Sequence, residues 1–105
     1  MIEIETSSGN VYADLDYPNA DAMLVKAQLA AKIGEIIKEQ HWTQKEAAAV
    51  LGIPQPKLSN MLRGQFRGIS EEKMMECLTK LGRNIQIVVS PDQKYHGQIE
   101  VVFAG

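Results

Sequence analysis

The sequence predicts a mainly α fold: a small helical domain built around a helix-turn-helix, followed by a pair of C-terminal β-strands. Three observations predict it. Residues 43–64, TQKEAAAVLGIPQPKLSNMLRG, read as two short helices joined by a tight turn. On either side of them, apolar residues recur at three- and four-residue spacing, the period of a helix with one buried face. Beyond residue 83 the period falls to two, in NIQIVVS and QIEVVF. A chain of 105 residues fits one domain with a single core. Its expected parts are an acidic N-terminal arm (1–18), a helical body (19–83) and a strand-forming tail (84–105).

Ile2-Glu3-Ile4-Glu5 alternates apolar and acidic residues as a short strand would, and Ser7-Ser8-Gly9-Asn10 signals a turn. Val11 to Tyr17 reads as an irregular arm whose apolar members can dock on the core. The arm's acids suit a solvated segment or a docking strip for a basic partner. Pro18-Asn19-Ala20-Asp21 opens a long helix, with Asn19 as N-cap and Asp21 favourable in the first turn. Val25, Leu29, Ile33, Ile36 and Ile37 form its buried stripe, which ends near Gln40 after too few heptads for a coiled coil.

Thr43 with Glu46 three residues later makes a capping box, and Trp42 is placed to staple onto Ala47. Ala47, Ala48 and Ala49 keep this helix thin. Gly52 can end it in the left-handed conformation, and Ile53 precedes a proline and is biased to extended geometry. A second helix runs from about Pro54 to Arg63. Leu58, Met61 and Leu62 share one face; Gln55, Ser59, Asn60 and Arg63 fall on the other, where the helix carries no acid. Arg pairs bidentately with guanine, Asn and Gln pair with adenine, and Ser reaches bases or phosphates. The second helix is therefore the expected reader of a DNA major groove.

This segment resembles the phage-repressor-like (XRE-type) helix-turn-helix family. Gln44, Ala48, Gly52, Ile53, Leu58 and Met61 carry the resemblance at fixed offsets. It implies a five-helix-type domain in which Gln44 grips a phosphate. The wider pattern, NVYADLDYPNADAMLVKAQLA before the motif, QPKLSNMLRG within it and LGRNIQIVV after it, is similar to the HigA-like antitoxin branch. Members of that branch repress their own operons and neutralise a RelE/HigB-like ribonuclease toxin. The resemblance spans roughly residues 8–90. One position departs: Pro54 stands where the family has Ser, Thr or Asp as N-cap of the reader helix. Replacing it with Asp is expected to add roughly 0.5–1 kcal/mol of stability.

Gln65-Phe66-Arg67-Gly68-Ile69 reads as a loop in which Arg67 can reach a phosphate. Ser70 caps a helix with Glu71 and Glu72 in its first turn; Met74, Cys77, Leu78 and Leu81 form its stripe and Gly82 ends it. Residues 84–90 align Ile85, Ile87 and Val89 on one strand face, and residues 98–103 align Ile99, Val101 and Phe103. Two strands alone are marginal, and their edges invite pairing with another chain. A homodimer joined through these strands would set two reader helices on an operator with two half-sites.

The net charge of −2 hides an asymmetry: residues 1–21 hold five acids and no base, whereas residues 41–69 hold four bases against one acid. The basic charge lies where DNA is expected. His41 and His96 lack metal-ligand spacing, and Cys77 sits on an apolar stripe, so neither a metal nor another cofactor is expected. No nucleophile elbow, phosphate-binding glycine loop or zinc-protease motif occurs, which argues against an enzyme. One cysteine, no apolar run near the roughly 20 residues that span a bilayer, and no signal-peptide pattern point to a reducing, cytoplasmic setting. The expectation is a sequence-specific DNA-binding regulator, an antitoxin that represses its own operon. Its DNA contacts are Gln44, Gln55, Lys57, Ser59, Asn60, Arg63 and Arg67. Two alternatives stand beside it: a stand-alone repressor, and a protein-binding module on the same scaffold.

Overall fold

The computed structural model describes residues 20–104, and the acidic arm, the strand expected at residues 2–5 and the Asn19 cap lie outside them. Four helices follow in order: α1 (Ala20–Glu39), α2 (Gln44–Leu51), α3 (Gln55–Leu62) and α4 (Glu71–Lys80). Helix α1 packs on α4 and α3, while α2 packs on α3 and α4. The whole expected stripe of α1 is buried: Val25, Leu29, Ile33, Ile36 and Ile37. Ile33 and Ile36 meet Leu51, Leu58, Met61, Met74 and Cys77 in the fully buried centre, one side chain set from all four helices. Each such side chain contributes about 1.5–3 kcal/mol by leaving water.

Helix α1 stops at Glu39 because His41 turns left-handed (φ 59). The turn lets Trp42 N–H donate back to Ile37 O at 3.3 Å. The loop after α3 is not surface padding. Phe66 and Ile69 are buried and complete the core under α1, while Arg67 between them is exposed. Ser70 then caps α4 by accepting from Lys73 N–H at 3.1 Å.

Two expectations fail here. The described residues hold four helices and not five. The C-terminal strand pair is absent: residues 84–104 are irregular, and no backbone ladder joins residues 84–90 to residues 98–103. The alternation in NIQIVVS would need a covered face, but Ile87, Val88 and Val89 are 80%, 86% and 87% exposed. Neither face of that stretch is buried, so nothing selects a register. The tail returns to the body only near its end. Val101 packs against the core, and Phe103 lies under Lys32 with the ammonium 5.4 Å from the ring centroid.

Candidate nucleic-acid interface

Helix α3, the expected reader, is placed by three devices. The first fixes where α2 starts. Thr43 Oγ1 accepts from Glu46 N–H at 3.1 Å, and Glu46 Oε1 accepts from Thr43 N–H at 2.8 Å, so the capping box is complete. Glu46 is the motif's one acid, and this bond engages one of its two carboxylate oxygens. The second is the turn. Gly52 is left-handed (φ 69), which lets Gly52 N–H and Ile53 N–H both donate to Ala48 O, at 2.8 and 3.1 Å. A side chain there would be strained. It would also crowd Lys80, whose Nζ lies 3.2 Å from the site of a Cβ.

The third device comes from α4. Lys80 Nζ donates to Leu51 O at 3.0 Å, a cation on the open carbonyl end of α2. Glu76 holds this lysine at 3.5 Å and Lys73 at 3.0 Å. The hydrogen bond from Lys73, then that from Lys80, together with their charges, holds the Glu76 carboxyl below its ordinary value; the same bond raises Lys73. Below this pair Cys77 is buried, and burial pushes its thiol up against the pull of the two lysines.

Pro54 is the N-cap of α3 and offers no side-chain acceptor, as its chemistry requires. Its carbonyl accepts from Lys57 N–H and Leu58 N–H instead, at 3.0 and 3.1 Å. Leu58 and Met61 anchor the helix with no exposed area. Gln55, Lys57, Asn60 and Arg63 are exposed, and Ser59 is half-buried at the edge. Pro56, which residue chemistry alone did not single out, is exposed too. Its spacing of four to Asn60 and seven to Arg63 puts the three in one row down the outer face.

Within that row the structure joins two of the expected readers: the Arg63 guanidinium donates to Asn60 Oδ1. Arg63 is the C-cap that follows the helix (φ −92, ψ 5), and its reach is backward along α3. The side chains of Gln44, Gln55, Lys57, Ser59 and Arg67 form no hydrogen bond or ion pair among the described residues. The surface is thus a ridge of uncommitted donors, with Glu46 at the start of α2 the one carboxylate on α2 or α3. Such a surface can donate to phosphate oxygens and present amide and guanidinium groups to base edges. Among the described residues no group of three or more His, Cys, Asp or Glu could hold a metal ion, and no helix is long and apolar enough to cross a membrane.

Comparison with known proteins agrees with this geometry. A family model described as a helix-turn-helix domain matches residues 11–90. A solved chain described as an XRE family transcriptional regulator is 32% identical and superposes with a TM-score of 0.76, over 83% of this chain and 100% of that one. No curated protein matches the chain in sequence.

Proposed function

Because the chain belongs to the helix-turn-helix family of XRE-type, DNA-binding transcriptional regulators, we propose that it is a homodimeric repressor that reads a specific operator and serves as an antitoxin. A single observation carries the DNA part: α3 exposes Gln55, Lys57, Asn60 and Arg63 with no acid among them, on a helix held rigid by Leu58 and Met61. Gln44 and Lys57 position the protein on phosphates, Arg67 adds a third such contact, and Gln55, Ser59, Asn60 and Arg63 face the bases. Pro56 stands in the first turn, where an apolar contact suits a thymine methyl group.

The dimer is supported by the tail. Ile87, Val88, Val89, Tyr95 and Ile99 are all more than 70% exposed. Large apolar side chains exposed along one segment suit a protein interface. A second copy covering it would present two reader helices to half-sites one helical turn apart. The antitoxin role rests on the likeness of residues 10–30, 55–64 and 81–89 to the HigA-like branch. It also suits the five acids of residues 1–21, which fit a basic partner such as a ribonuclease.

Fluorescence anisotropy tests the proposal. The protein is titrated against a duplex from its own upstream region and against a scrambled duplex, at two salt concentrations. An Asn60→Ala/Arg63→Ala double variant runs alongside. Tight, sequence-dependent binding lost in the variant is expected. Weak binding that is equal on both duplexes and indifferent to the substitutions would favour a protein-binding module.

A further inference from the structure

We infer that Asn60 is a positioning residue for Arg63, and not an independent reader of adenine; this rests on the DNA-binding reading above. The geometry supplies three reasons. Arg63 closes α3 at its C-terminal end, whereas the N-terminal part of a recognition helix enters the groove first. Unaided, its guanidinium would stand about two turns from that end. The bond to Asn60 Oδ1 draws it back along the helix by three residues, roughly 4.5 Å at 1.5 Å per residue.

The second reason is orientational. Bidentate adenine recognition needs the Asn carbonyl to accept from N6 while the amide donates to N7. In Asn60 one of that oxygen's two lone pairs is engaged by Arg63, which turns the amide toward the guanidinium. Laying both amide groups along one adenine edge would require the amide to leave that orientation.

The third reason is that the arrangement leaves Arg63 equipped for its own task. A guanidinium carries five N–H donors in a fixed fork, so one bond to Asn60 leaves enough for the O6 and N7 acceptors of guanine. Both side chains are exposed and neither has another partner among the described residues. Below them, Asn60 O accepts from Gln65 N–H at 2.8 Å and from Arg63 N–H at 3.1 Å, which fixes the backbone that carries the pair. Asn60 and Arg63 therefore act as one guanine-reading unit, with its contacting atoms on Arg63.

The test is selection of duplexes from a randomised library by wild-type protein and variants, followed by sequencing of the enriched pools. Circular dichroism confirms that each variant is folded. Arg63→Ala is expected to flatten the preference for guanine at one base pair per half-site by roughly 5- to 100-fold. Asn60→Ala is expected to weaken the preference at that same base pair and at no other. The double variant should be no worse than Arg63→Ala alone. Asn60→Asp keeps the acceptor, so it should lower affinity for every duplex through its added charge while restoring the guanine preference. If Asn60→Ala instead flattens a different base pair, or if the two effects multiply, Asn60 reads for itself and the inference fails while the DNA-binding reading stands. If wild-type protein enriches no sequence, the DNA-binding reading fails and takes the unit with it.

Discussion

The helix-turn-helix and the C-terminal tail were patterned with equal clarity in the sequence, yet only one of them takes on the structure its pattern describes. In residues 43–64 the backbone needs are met within a few residues, apart from that of Leu51 O, which Lys80 supplies. Thr43 and Glu46 satisfy the start of α2, Ala48 O takes the N–H groups of Gly52 and Ile53, and Asn60 O takes Gln65 N–H. A helix carries its own partners. The alternation of residues 84–90 and 98–103 says which side chains would share a face, but a strand's hydrogen bonds belong to another segment. In the single chain that segment is missing, and Ile87, Val88 and Val89 stand in solvent.

The sharpest way to break this comparison is to truncate both regions. Leu58→Ala, at a position with no exposed area, is expected to cost about 2–5 kcal/mol in a urea melt. Val88→Ser, at 86% exposure, should stay within about 0.5 kcal/mol at low protein concentration. If Val88→Ser also shifts sedimentation from dimer to monomer, the tail's apolar residues serve association and not folding. Equal costs for the two changes would mean that the tail belongs to the core.

A second prediction concerns the turn. Gly52→Ala meets a left-handed backbone (φ 69) and displaces Lys80 from Leu51 O, so a loss of about 1–2 kcal/mol is expected in thermal or chemical unfolding. The same change at Gly97, which has open space and no left-handed φ, should be nearly silent.

A third, smaller effect is pH-dependent. The folded Glu76 carboxyl lies below its ordinary value of 4.5, so it releases its proton more readily than in the unfolded chain. Its contribution to stability is therefore full above pH 4.5 and is lost as pH falls through the lowered value. Glu76→Gln should melt below wild type at neutral pH, and the gap should close in acid. A gap that stays constant to low pH would refute the ion-pair account.

The smallest effect is expected at Pro54. A new Asp there can accept from Lys57 N–H, but Pro56 has already removed one of the neighbouring donors. The rigid ring of Pro54, at φ −61, is also lost. A cap of about 1 kcal/mol is offset by about 0.4–1 kcal/mol of chain entropy. The gain read from residue type alone therefore shrinks toward zero, and differential scanning calorimetry would reveal any larger change.

These outcomes follow what the sequence could express. The stripe of α1 was legible because five apolar residues at helical spacing leave one face to bury, and all five are buried. The α3 face was legible for the same reason. Phe66 and Ile69 were not, since a loop has no period and only the approach of α1 decides what it covers. The Lys80 bond to Leu51 O was hidden too, because its partners lie 29 residues apart and on different helices. At the reader surface, residue chemistry identified Asn60 and Arg63 but treated them as separate; spacing of three on a helix permits their bond, and only the side-chain conformations establish it.

The clasp between α4 and the turn has a consequence for sequence drift. Lys80 fits against Leu51 O because Gly52 leaves room for a compact ammonium, at 3.2 Å from where a Cβ would stand. A planar guanidinium does not have that shape. A side chain gained at position 52 meets both a left-handed backbone and Lys80, whereas a change at position 80 removes only the clasp and leaves the glycine turn in place. In relatives position 52 should therefore hold glycine more strictly than position 80 holds lysine.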